Sequence, residues 1–132
     1  MSSIIAETEF YSIETDRVKN RAYLTFTGFC KDVDKMSNFL NDIEKATQGL
    51  TKGFTLLTDA SQMKTPSKEV SDLHESSQKI WIEKGLLKTA EIIPESAMVQ
   101  MTLKRYSSST GMKKKEFQNR VEAEAWLDLK EE

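Results

Sequence analysis

Residues 54–61, Phe54-Thr55-Leu56-Leu57-Thr58-Asp59-Ala60-Ser61, form a short run whose apolar side chains follow one another without alternating, fronted by Gly53 and closed by a polar loop. A run of this length with helix-like patterns on both sides is the pattern of a strand buried on both faces, and such strands sit in sheets whose crossovers are helices. It therefore predicts a central strand. Asp59 is expected to end it, at a rim where loops carry function on a rigid scaffold.

The rest of the chain arranges itself around that strand. Ile4 to Glu14 mixes Ile, Phe, Tyr and Thr with acids and predicts an edge strand, followed by a polar turn from Thr15 to Asn20. From Arg21 to Gly28 the residues alternate, with Ala22, Leu24 and Phe26 on one face, so this run predicts a half-buried strand in a hairpin with the first. Beyond Asp32 the period changes. Val33, Met36, Phe39 or Leu40, and Ile43 share one side of a helix that Asp32 can start and Gly49 can stop. After the central strand, Thr65 and Pro66 supply an N-cap hydroxyl and a first-turn proline for a helix striped by Val70, Leu73, Ser77, Ile80, Trp81 and Lys84, closed at Gly85.

A third unit begins at Leu86. Lys88 to Ile93 predicts a strand ended by Pro94, and Ser96 can cap a helix through Ala97, Met98, Met101 and Lys104, although Val99 and Leu103 also fit a strand, so residues 95–105 stay open. Ser107 to Gly111 reads as a loop and Glu116-Phe117-Gln118 as a last short strand. Asn119 and Glu122 have the spacing of a capping box before a final helix that turns Trp126 inward. With no repeat and no long linker, the order predicts a single α/β domain over residues 1–132: a mixed β-sheet backed by helices. Its expected core is Leu24, Phe26, Phe39, Ile43, Leu56, Leu57, Leu73, Ile80, Ile92 and Trp126.

Composition supports a folded chain and excludes several functions. At 132 residues, 38% hydrophobic and 30% charged, the chain can build one real core. A formal net charge of -2 gives no general attraction to nucleic acid or anionic membrane. Cys30 is the single cysteine, so no internal disulfide can form and a reducing, cytoplasmic setting is expected; it reads as a small buried hydrophobe rather than a nucleophile. The N-terminus has neither a basic region nor a long apolar stretch, so neither a leader nor a membrane span is expected.

Leu56-Leu57-Thr58-Asp59, the loop that follows and starts a helix, the strand after Gly85, and the ending Phe117 with Glu122-Ala123-Glu124-Ala125-Trp126-Leu127 together resemble the SpoIIAA-like (STAS) domain over residues 10–130. In that family a small sheet is backed by helices, and the last helix often ends in an Ala-x-x-Trp-Leu pattern. Its best-known members are anti-sigma-factor antagonists switched by phosphorylation in an Asp-Ser-Ser-Gly turn. Here that turn reads Lys64-Thr65-Pro66-Ser67-Lys68-Glu69, so the likeness is to the small SpoIIAA-like proteins of unassigned role. It implies a non-enzymatic regulatory or protein-interaction module, with a regulatory protein as partner.

The candidate contact residues are Asp59, Ser61, Thr65 and Ser67, on the loop where a helix N-terminus offers unpaired amides, although capping alone also accounts for Thr65 and Ser67. His74 has no second ligand at metal spacing and reads as a solvated helix histidine. Asp59 and Asp72 have no defined partner for acid–base work. No catalytic residue, metal site or cofactor is expected. The segment Leu86–Arg120 is net basic and residues 121–132 net acidic, but Tyr106 is the one aromatic beside Lys104, Arg105, Lys113, Lys114 and Lys115, and no glycine-rich phosphate cradle accompanies them. The group therefore reads as a solvated face rather than a nucleic-acid surface. A homodimer is left open. The alternative function is a binding domain for a small apolar ligand held between sheet and helices by Met36, Phe39, Met63, Met98 and Met101.

Overall fold

The computed structural model describes residues 2–28 and 33–129; Cys30 and the capping role of Asp32 lie outside these. Strands β1 (Ser2–Glu7), β2 (Tyr11–Asp16) and β3 (Arg21–Gly28) form an antiparallel meander, and β3 continues in parallel into β4 (Thr55–Met63), β5 (Lys88–Ile92) and β6 (Lys114–Phe117). The result is one six-stranded mixed sheet in the order β1-β2-β3-β4-β5-β6, the α/β architecture expected. The crossovers run through α1 (Phe39–Thr47), α2 (Lys68–Glu83) and α3 (Ala97–Thr110), while α4 (Arg120–Asp128) follows β6.

Because every crossover moves one strand further in the same direction, crossovers of one hand put α1, α2 and α3 on the same side of the sheet. Their buried residues Phe39, Ile43, Val70, Trp81, Val99 and Leu103 share a cluster with Ala22, Leu24, Phe26 and Leu56. Helix α4 packs on the other side, where Ala123 and Leu127 meet Tyr23, Leu57, Ala90 and Ile92. Leu56 and Leu57 thus enter different clusters, which is why the central run is apolar without alternation.

Several elements depart from expectation for identifiable reasons. The segment Ile4–Glu14 is two strands, because the Thr8 hydroxyl accepts from the amides of Phe10 and Tyr11, both at 3.2 Å, and turns the chain between them. The first helical stretch is a 3-10 turn over Val33–Met36 followed by α1, not one continuous helix. Helix α2 is capped by Ser67, whose Oγ accepts from the Val70 amide at 3.3 Å, so Thr65 and Pro66 lie before the helix. Residues 97–110 are helical, with Ser96 as the cap, and Ser107–Thr110 are its last turn rather than a loop. There Ser107 donates back to the Lys104 carbonyl at 3.1 Å, an outlet for a serine hydroxyl inside a helix. Gly111 then ends α3 at φ 80°, the left-handed cap that glycine adopts without cost.

Of the expected core, Leu73, Ile80 and Trp126 are half-buried and the other seven residues buried. No helix among the described residues is long and apolar enough to cross a membrane.

Candidate functional site

The carboxyl ends of β4, β5 and β6 and the loops that leave them form a groove of about 750 Å³, whose lining includes Ser61, Lys64, Thr65, Glu95, Ser96 and Gln118 together with the apolar Met63, Ile93 and Val99. Its walls are the β4–α2 loop and the β5–α3 loop. Each loop ends in a serine N-cap, Ser67 for α2 and Ser96 for α3, whose Oγ accepts from the amide three residues on at 3.3 Å. Capping fixes where each helix starts and so fixes the two walls.

The floor is set at the end of β4. Opposite Thr25–Thr27 of β3 the partners run from Asp59 to Gln62, one residue more on β4, so the pairing carries a bulge. The bulge is tied by Asp59, whose Oδ1 accepts from the Ser61 amide at 3.0 Å and the Ser61 hydroxyl at 2.6 Å. Through Oδ1, Asp59 thereby fixes Ser61 at the edge of the groove. Of the four sequence candidates, Ser61 and Thr65 line the groove, Asp59 lies behind Ser61, and Ser67 is occupied as a cap. Lys64, Glu95 and Gln118 were not candidates: Lys64 lies on the same β4–α2 loop as Thr65, whereas Glu95 and Gln118 reach the groove because β5 and β6 end beside β4.

His74 departs furthest from expectation. It is buried, stacked on Tyr106 with ring centroids 5.4 Å apart and edge-on to Phe26 at 4.6 Å. Burial drives its pKa down to about 4, so the imidazole is neutral at physiological pH. The sequence did carry a signal, since Val70, His74, Ser77 and Trp81 have the spacing of a single buried stripe and all four are buried.

Most of the basic segment is displayed, as a solvated face: Lys104, Arg105, Lys113, Lys115 and Arg120 are exposed, and Lys114 is the member drawn inward. Lys114 bonds Glu91 at 2.9 Å, with both side chains nearly inaccessible, and also donates to the Leu103 carbonyl at 3.1 Å. Burial pushes the Glu91 carboxyl up, against the pull of the Lys114 charge. Lys115 lies over the rings of Phe117 and Trp126, and the Arg120 guanidinium is 4.9 Å from the centre of the Tyr23 ring. Lys104 reaches Glu116 at 3.9 Å.

The residues named for an apolar ligand do not converge. Met36, Phe39 and Met63 are buried, whereas Met98 and Met101 are 67% and 70% exposed on the outside of α3. Two cavities between the sheet and the helices measure about 20 Å³ each, the scale of one water molecule. Among the described residues no group of three or more His, Cys, Asp or Glu side chains could hold a metal ion. Comparison with family models, with curated proteins and with solved structures finds no match.

Proposed function

We propose that the chain is a non-enzymatic regulatory or protein-interaction module of the SpoIIAA-like (STAS) kind, and that it meets a partner protein through the groove between the β4–α2 and β5–α3 loops. The observation that carries this reading is the groove itself: a concavity of about 750 Å³ at one end of the sheet, walled by two loops whose positions are set by serine caps and by the Asp59–Ser61 tie. Loops held by a rigid sheet are where recognition concentrates. The polar side chains there are Ser, Thr, Gln, Lys and Glu without a nucleophile–base pair, which supports contact rather than chemistry. The buried interior offers a drug-sized molecule far less room than the 300–1,000 Å³ typical of such pockets.

The test places a photo-crosslinking side chain at Thr65 and, for comparison, at exposed Lys19 on the opposite end of the sheet, in the organism from which the sequence comes. A discrete protein adduct from position 65 and none from position 19 is the expected result, and it should be lost when Ser61→Glu is added. Equal adducts from both positions, or none at 65 from well-expressed protein, would reject the groove as the contact. Ser67→Asp should keep the helix, since aspartate caps as well as serine, within about 1 kcal/mol of wild type. Exposed Arg105→Glu is the control for the basic segment, because Lys114 is committed to Glu91.

A further inference from the structure

We propose that the space enclosed by α2, α3 and the middle of the sheet is a built site for one buried water molecule, held by the indole N–H of Trp81. Trp81 is 1% exposed, and its Nε1 meets no hydrogen-bond acceptor among the described residues. An indole nitrogen can only donate, and buried donors in folded proteins are almost always satisfied by protein or by ordered water. The side chain borders a cavity of about 20 Å³. That volume admits one water-sized centre and nothing larger, so size alone fixes the class of occupant.

The wall supplies what a water needs in return. Beside Trp81 stand Thr58, His74, Ser77, Gln78 and Glu91. Ser77 donates its proton to the His74 carbonyl at 2.6 Å, which leaves its oxygen able to accept. A neutral His74 keeps one ring nitrogen as an acceptor, and a carboxylate such as Glu91 has lone pairs beyond the one engaged by Lys114 at 2.9 Å. Buried waters typically make two to four hydrogen bonds, whereas cavities that stay dry are lined by Leu, Ile and Phe. The wall also carries Leu24, Phe26, Leu56, Leu103 and Met112, but the orphaned indole donor and the acceptors beside it set this cavity with the hydrated kind. It is separate from the rim groove, so the inference is independent of the proposed function.

The deciding measurement uses the wild-type protein. In a uniformly ¹⁵N-labelled sample, the Trp81 indole proton should show a direct dipolar cross-peak to a long-lived water, distinguished from chemical exchange by its sign in the rotating frame. The chain has two tryptophans, and the half-buried Trp126 provides the internal comparison. A high-resolution crystal structure should show one isolated peak within hydrogen-bond distance of Trp81 Nε1. An indole proton with no water cross-peak, an exchange-only cross-peak, or clear density for an unfilled cavity would each overturn the proposal. Density too large for water would overturn the assignment of the occupant. Thr58→Val, which keeps shape and removes one acceptor, should lower the water's residence time several-fold if Thr58 is a partner; an unchanged residence time in both Thr58→Val and Ser77→Ala would overturn the wall described here.

Discussion

The two faces of the sheet are covered in different ways. On one, three helices lay apolar stripes over Leu24, Phe26 and Leu56, and Phe39, Ile43 and Ala46 of α1 are entirely inaccessible. On the other, α4 alone covers β4 to β6, over a cluster of six buried residues. What the second face lacks in apolar area it makes up with charge. Arg21, 3% exposed, donates to Glu124 at 2.7 Å, to Asp128 at 2.9 Å and to Thr55 at 2.9 Å. Tyr23 adds a bond to Glu124 at 2.9 Å, and Lys88 donates to the carbonyls of Trp126 and Leu129 at the end of α4, each at 3.0 Å. A thinly covered face is thus held largely by directional contacts that fix where one helix sits, and a thickly covered face mainly by packing, to which the buried Lys114–Glu91 pair is added.

The largest expected effect tests that contrast at adjacent residues. Leu56→Ala opens space under three helices that restrain one another, and should cost toward the upper end of about 2–5 kcal/mol, whereas Leu57→Ala opens it under one helix that can settle, and should fall toward the lower end. Chemical denaturation of both variants measures this. Equal costs, or a larger cost for Leu57→Ala, would remove the distinction between the faces.

Next in size is the acid response of the packed face. His74 titrates near pH 4 in the fold against an ordinary value of 6.5, so the unfolded chain binds its proton first as pH falls. Its contribution is fully present above pH 6.5 and is lost between there and pH 4, by about 3 kcal/mol at roughly 1.4 kcal/mol per pH unit. His74 is the single histidine, so its ring proton resonance can be followed without ambiguity. It should hold its neutral position down to pH 5, and a midpoint near 6.5 would show an exposed ring.

The clamp on the other face should respond less. Burial alone would raise the Glu124 carboxyl, but the hydrogen bonds from Arg21 and Tyr23 and the Arg21 charge outweigh it and hold it below the usual range. Glu124→Ala leaves Arg21 buried with Asp128 and Thr55, and because both carboxylates are partly exposed the loss should be about 2 kcal/mol, less than for a fully buried pair. Glu124→Gln should recover part of it. A loss below about 0.5 kcal/mol in denaturant titrations would class the clamp with ordinary surface ion pairs.

The same contrast explains what could be read from the residues. Periodicity marks a side chain by its neighbours along the chain, so the stripes of α1 and α2, the central strand and the caps at Ser96 and Asn119 were legible. Arg21 and Glu124 lie 103 residues apart, and nothing local to either says that they meet. His74 was misread because its residue type was weighed above its place in the Val70–Trp81 stripe. At the rim, Thr65 was legible as a loop residue after a strand, whereas Ser61, expected on that loop, lies within β4, which runs on to Met63. Glu95 and Gln118 were not legible, because their convergence with that loop depends on which strands lie side by side.

The smallest effect separates the faces most directly, because the same chemical loss can be made on each. Ser67 caps α2 and Asn119 caps α4, the latter accepting from the Glu122 amide at 2.9 Å, and replacing either by alanine should cost about 1 kcal/mol. The distribution of that loss should differ. Helix α2 is wedged between α1 and α3 and shares their cluster, so it opens only when the whole packed face opens, and Ser67→Ala should lower amide protection across the protein together. Helix α4 has no helix beside it on its face, so Asn119→Ala should speed exchange within residues 122–128 and leave the amides of β3 and β4 near their wild-type rates. Native-state hydrogen exchange on the two variants reads this. If Asn119→Ala instead slackens the whole sheet, α4 is part of the global folding unit and the clamp at Arg21 holds more than one helix.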